Sequence, residues 1–105
     1  MVEELILPEI LSFGWDEGNI LKTKLTHNVE TLECEQIFHN DPVFIYDKNH
    51  SQQEERYFAY GISDKGRKLV IVFTTRKGKI RVISARAQSK KERRMYEKAK
   101  ADTKV

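Results

Sequence analysis

Apolar positions along this chain switch between two spacings, and the switches mark its elements. Leu11, Phe13 and Trp15 alternate with polar or small residues, which predicts a strand over Ile10–Trp15. Asp16 then stands where a helix N-cap belongs, with Asn19 three residues on. A helix to about Thr26 places Ile20, Leu21, Lys24 and Leu25 near one face, and His27-Asn28 ends it. Cys34, Ile37 and Phe38 recur at helical spacing, so a second helix is expected over Thr31–His39, stopped by Asn40-Asp41-Pro42. Val43–Tyr46 reads as a short strand, and Asp47–Glu55 as a mobile polar loop. Three strands follow at Tyr57–Ile62, Leu69–Thr75 and Lys79–Ala85, rich in Val, Ile, Phe and Tyr. Their links carry Asp64-Lys65-Gly66 and Lys77-Gly78, which points to tight antiparallel hairpins. The unbroken run Leu69–Phe73 suits a central strand covered on both faces. Ser89-Lys90-Lys91-Glu92 is a capping box opening a last helix to about Lys100.

The expected order is β-α-α, four strands, then α. That is an α+β domain: two N-terminal helices and one C-terminal helix around an antiparallel sheet of four or five strands. With 105 residues the chain fits one domain, with an arm at 1–9, a core at 10–100 and a tail at 101–105. Hydrophobic residues make up 39% and charged ones 33%, and the aromatic content argues against a disordered chain. A single cysteine, Cys34 on a helical core stripe, leaves no disulfide framework or Cys-rich zinc site. No apolar run approaches membrane-spanning length, and Glu3 and Glu4 stand where a signal peptide carries basic residues. A cytoplasmic location is expected, away from membranes.

The net charge of +3 hides an asymmetry. Residues 1–75 hold 7 Lys/Arg and 13 Asp/Glu, whereas residues 76–105 hold 12 and 3. A basic third on an acidic chain suits a polyanion or an acidic partner, or else a solvated helix face. Phosphate-binding glycine loops, nucleophile elbows and helical metal-ligand pairs do not occur, and neither metal nor cofactor is expected. What stands out is a set of cations on and after the last two strands, from Arg76 to Arg94, with Arg56 opening the first hairpin strand. Such a set fits RNA cleavage by the ribose 2′-OH, in which guanidinium groups stabilise charge on the phosphate oxygens. Arg81 and Arg86 are the leading candidates for that role, and His27, Glu92 and Tyr96 for proton transfer. Arg56, Arg76, Lys79, Lys90 and Arg93 are candidates for RNA contact.

Phe13-Gly14-Trp15-Asp16-Glu17, His27-Asn28-Val29, Glu55-Arg56-Tyr57, Gly61, Ile80–Arg86 and Glu92–Glu97 together resemble the BrnT toxin family, in order and at matching spacing. In that family the run resembles Phe-x-Trp-Asp-Glu, His-Gly-Val, Glu-x-Arg, Ile-Arg-x-Ile-Ser-Ala-Arg and Glu-Arg-x-x-Tyr. The resemblance implies a RelE-like fold and a ribonuclease toxin that arrests translation. It further implies a BrnA-like antitoxin with a ribbon-helix-helix part, through which the complex contacts operator DNA. A heterotetramer of two toxins and two antitoxins is one open stoichiometry. This chain departs from the pattern at Thr26, where a lysine is usual, at Asn28 for glycine, and at Thr23 for an asparagine often found in the first helix. Asn tolerates a left-handed backbone, so the second change is compatible with the turn.

Several residues have a structural explanation beside the chemical one. Trp15 can anchor a core, Asp16 and Glu92 can cap helices, and Tyr96 can pack its ring on the sheet. His39 and His50 read as surface residues. Arg81 and Arg86 sit among apolar neighbours and need a partner, either RNA or an internal carboxylate such as Glu55 or Glu92. They also differ by an odd number of positions, which sends them to opposite faces of a regular strand. They share a site only if the strand ends or bulges near Ser84, and Arg86 is expected past the strand end. A non-catalytic module that binds nucleic acid or a partner through the same basic face is the alternative function, and a purely structural receptor for an acidic antitoxin segment is a third.

Overall fold

A computed structural model describes residues 12–20 and 28–103. Its centre is a four-stranded antiparallel sheet in the order β1 (Val43–Tyr46), β2 (Tyr57–Ile62), β3 (Lys68–Arg76) and β4 (Lys79–Ala87). Helix α1 is described over residues 17–20, α2 spans Thr31–His39 and α3 spans Lys90–Thr103. The expected α+β architecture is therefore observed. β1, β2 and α2 have the expected bounds, while β3 and β4 extend by one or two residues and α3 runs three residues beyond Lys100. Residues 101–103, read as tail, are thus helical. The expected arm at 1–9, the first helix beyond residue 20 and His27 lie outside the described residues.

Two readings need correction. Among the described residues, the first strand reduces to one parallel bridge between Phe13 and Ile80. There Gly14 N donates to Ile80 O at 2.9 Å and Ile80 N to Ser12 O at 2.8 Å, so the segment borders the outer edge of β4. The polar stretch after β1 is more organised than a featureless loop. It contains a 3₁₀ turn, Lys48–His50, and closes on itself through Ser51, whose hydroxyl donates to Asp47 O at 2.7 Å.

The turns follow from local backbone chemistry. Lys77 and Gly78 both adopt positive φ (51° and 76°), the two-residue hairpin whose twist matches the flanking strands. Gly66 at φ 85° completes the five-residue link between β2 and β3. Asn28 is left-handed as expected, at φ 53°.

The sheet has a closed face and a half-open one. On the closed face, Ala59, Leu69, Ile71, Phe73, Ile80, Val82 and Ala85 pack under Cys34, Ile37 and Phe38 of α2. Phe38 meets Phe73 and Phe13 edge-on, with centroids 4.9 and 5.3 Å apart. Gly61 lets α2 come close, since a Cβ there would stand 2.9 Å from Ile37 Cγ2. On the other face, Tyr96 of α3 covers Tyr60 and Val70, with Met95, Ile62 and Phe58 around them. Leu69, Val70, Ile71 and Phe73 are fully buried, the double-sided coverage expected of an interior strand.

Candidate functional site

The part of the sheet that α3 leaves uncovered carries the arginines. The pairing of β3 with β4 slips by one residue: Val72 pairs with Ser84 but Phe73 pairs with Val82, so Ile83 is an extra residue in β4. This bulge reverses the side-chain alternation beyond it. Ile80, Val82 and Ala85 all reach the closed face, while Arg81, Ser84 and Arg86 share the other. Both arginines therefore face the same way, although Arg86 lies inside β4, before its end at Ala87, and not past it as expected.

Each arginine on this face has a carboxylate partner. Arg81 Nη1 lies 2.7 Å from Asp16 Oδ2. That hydrogen bond, followed by the Asn19 amide, holds the Asp16 carboxyl below its ordinary range. Asp16 also caps α1: its Oδ1 accepts from Asn19 N at 3.0 Å while its own amide donates to Asn19 Oδ1 at 2.7 Å. Arg76 donates twice to Glu54 Oε2, at 3.0 and 3.1 Å, and Arg56 Nη2 lies 4.0 Å from Glu54 Oε1. Arg86 grips Glu92 with two parallel bonds, Nη1–Oε1 at 2.7 Å and Nη2–Oε2 at 3.0 Å.

Glu92 is also the capping-box acid, accepting from Ser89 N at 2.8 Å while Ser89 Oγ accepts from Glu92 N at 3.2 Å. Arg86 first, and then Ser89, lower the Glu92 carboxyl to about 2 against the opposing effect of burial. So low a value makes it a weak proton acceptor at neutral pH and a clamp on Arg86. The Tyr60 hydroxyl stands 3.5 Å from Glu92 Oε2. Burial, and then the Glu92 charge, raise its pKa.

Three clefts meet at Arg56. One is shared with Arg76, Arg81 and Ile83, one with Phe58, Val72, Ile83, Ser84 and His50, and one with Asn49, His50 and Glu54. Arg56 Nε is buried and has no hydrogen-bond partner among the described residues, an N–H donor without an acceptor. A fourth cleft, of about 560 Å³, lies beside Tyr60, Arg86, Lys91 and Glu92. The sequence candidates thus divide. Arg56, Arg76, Arg81, Arg86 and Glu92 lie along one face. Tyr96 is 4% exposed and lines a separate cavity with Ile62, Lys68 and Lys100. Lys79 is exposed near the β3–β4 turn, Lys90 is exposed at the start of α3, and Arg93 Nη1 donates to Gln88 O at 3.2 Å.

Sequence reasoning did not single out Tyr60, Glu54 or the partnership of Asp16 with Arg81. It also set His50 aside, although His50 borders two of the Arg56 clefts. Tyr60 was reachable, since period-2 alternation puts Phe58, Tyr60 and Ile62 on one face. The carboxylate partners are separated from their arginines by loops and register and left no local signal. The remaining bland readings agree with the geometry. Trp15 packs on the core and donates to Glu35 Oε2 at 2.7 Å. Burial, then Glu33 and Glu35, push the Cys34 thiol up to about 12, far from a nucleophile. Among the described residues, no three His, Cys, Asp or Glu side chains converge as a metal site would require, and no helix is long and apolar enough to cross a membrane.

Comparison with known proteins places the chain in a family. No curated protein matches the chain. A family model described as the ribonuclease toxin, BrnT, of type II toxin–antitoxin systems matches residues 15–92, which include Arg56, Arg76, Arg81, Arg86 and Glu92 and stop short of Arg93 and Tyr96. That match spans most of the chain, which therefore belongs to the BrnT family of type II toxin–antitoxin ribonuclease toxins.

Proposed function

We propose that this chain is an active endoribonuclease that cleaves RNA without a metal ion, blocks translation in the cytoplasm and is held in check by a BrnA-like antitoxin. The observation that carries this reading is that the bulge at Ile83 brings Arg81 onto the open sheet face with Arg86, beside Arg76 and Arg56, whose buried Nε lacks an acceptor among the described residues. A phosphodiester supplies such acceptors. In the reaction the 2′-OH attacks the adjacent phosphorus, and guanidinium groups stabilise the charge that gathers on its non-bridging oxygens. Arg81 and Arg86 take that role, while Arg56, Arg76, Lys79, Lys90 and Arg93 hold the strand on either side.

The resting carboxylates do not prevent this. Asp16 is 53% exposed and Arg76 57%, and ion pairs that open to water contribute only about 0–1 kcal/mol each. A phosphate displaces them at small cost. Glu92 acts differently: half-buried and bidentate, it orients Arg86. The antitoxin, with a ribbon-helix-helix part that contacts operator DNA, covers the basic strand-and-helix face and so excludes RNA.

The test is induced expression with primer-extension mapping of messenger cleavage, for the wild type and for Arg81→Ala and Arg86→Ala. Wild-type chain arrests growth and cuts RNA, and each folded variant loses both. Removing a group that stabilises transition-state charge costs roughly 3–4 kcal/mol. Soluble, folded variants that remain fully toxic refute the assignment.

A further inference from the structure

We infer that His50 is a catalytic base of this ribonuclease face, its ring oriented by the buried carboxylate of Asp47; the inference rests on the ribonuclease reading above. Asp47 occupies the N-cap position of the 3₁₀ turn Lys48–His50, yet its side chain makes no capping bond. Instead both of its oxygens lie within hydrogen-bond distance of His50 Nδ1, at 3.1 and 3.0 Å. The Asp47 side chain is 7% exposed and that of His50 66%. A pair that opens to water on one side adds little stability, so stability does not account for a carboxylate committed to it. Orientation does. An ionised carboxylate only accepts hydrogen bonds, so the proton of a neutral ring sits on Nδ1 and the lone pair on Nε2.

The platform beneath this pair is tied down. Asp47 N donates to Arg56 O at 2.8 Å, Ser51 Oγ donates to Asp47 O, and Arg56 N donates to Ser51 Oγ at 2.9 Å. The His50 turn is thereby fastened to the start of β2, where Arg56 sits. His50 and Arg56 border the same two clefts, one of them floored by Phe58, Val72 and Ile83. Arg56 also lines the adjoining cleft with Arg81, so the base stands one cleft from a guanidinium assigned to the phosphate, with Arg56 between them.

In the step assigned to it, Nε2 takes the proton of the ribose 2′-OH as the 2′-oxygen bonds to the adjacent phosphorus. The P–O5′ bond breaks, its electron pair leaves on O5′, and O5′ takes a proton from water. The products are a 2′,3′-cyclic phosphate and a 5′-hydroxyl, and the imidazolium returns its proton to solvent.

The test uses full-length chain with His50→Ala, His50→Gln and Asp47→Asn. The substrate is a single-stranded RNA of mixed sequence, supplied free and as messenger on translating ribosomes. Both His50 variants should keep the wild-type unfolding midpoint and RNA affinity and lose roughly 10²–10⁴-fold in cleavage rate. Asp47→Asn should lose less. Added imidazole should restore part of the rate to His50→Ala and none to Arg81→Ala, a response that a structural role does not give. Wild-type rates in both His50 variants overturn the assignment, as does a rate loss matched by lost RNA affinity with no imidazole rescue. If the wild type cuts neither free nor ribosome-bound RNA, the ribonuclease reading itself fails and takes this one with it.

Discussion

Glu92→Gln isolates the strongest polar contact of the site. Gln keeps the shape and one acceptor oxygen, so the capping box with Ser89 survives and the ionic grip on Arg86 is lost. The carboxyl falls from its ordinary 4.5 to about 2 in the folded chain. At 1.36 kcal/mol per unit, that corresponds to at most about 3 kcal/mol of stability. Arg86 is 40% exposed, so solvent screening lowers the expected figure to about 1–2 kcal/mol. The sign sets the pH window. The folded value lies below the unfolded one, so the contribution is complete above about pH 4.5 and disappears as pH falls towards 2. Gln has no such titration. Urea unfolding of both proteins at neutral pH, near pH 4.5 and near pH 2 should show a gap that is largest at neutral pH and closes in acid. Comparing the two proteins cancels the acid effects of every other carboxylate. A gap that stays constant into acid, or is absent at neutral pH, refutes the claim that an ionised Glu92 holds Arg86.

Three further outcomes follow from the same geometry. Cleavage should continue in excess chelator and yield 2′,3′-cyclic phosphate ends; loss of cleavage restored by a divalent cation overturns the arginine-based mechanism. Charge reversal at Arg93 and Arg94 should slow association with the antitoxin more than it speeds release, and more so at low salt, because rim charges act mainly on encounter; an association rate indifferent to salt and reversal moves the docking face elsewhere. Gly61→Ala should destabilise the fold by roughly 1–3 kcal/mol, since the new methyl meets Ile37 Cγ2 at 2.9 Å, and an unchanged denaturation midpoint contradicts that packing.

What was legible in the chain was local. The N-cap at Asp16, the capping box at Ser89, the Lys77-Gly78 hairpin and the stripe of Cys34, Ile37 and Phe38 each lie within a few residues, and all were found as expected. The conflict between Arg81 and Arg86 was legible too, because an odd spacing forbids a shared face on a regular strand. Its resolution was not. Whether β4 bulges or ends is decided by how Phe73 and Val72 seat against it, a non-local pairing. The Asp16–Arg81 pair depends on the same register, and the Glu54–Arg76 pair on that of β2 with β3. His50 escaped for a different reason. It reads as a surface residue and is one, 66% exposed; its place beside the Arg56 clefts depends on the loop folding back through Ser51 onto Arg56.

Folding also redistributes the charge that the sequence divides so unevenly. Asp16, Glu54 and Glu92 come to rest on the arginines of the open face, so that face is locally balanced despite its composition. Most of the cations that make no ion pair among the described residues lie elsewhere: Lys90, Lys91, Arg93, Arg94 and Lys98 on α3 and Lys77 and Lys79 at the β3–β4 turn, with Lys48 and Lys65 in loops, all exposed. Long-range attraction of a polyanion therefore belongs to the helix and the turn, where it is sensitive to salt. On the proposed function, the task of the sheet arginines is at contact, where a phosphate takes the place of a carboxylate oxygen. Two groups of cations with separate tasks follow: substitutions on α3 should change how fast RNA arrives, whereas substitutions at Arg56, Arg81 or Arg86 should change what happens to it once bound.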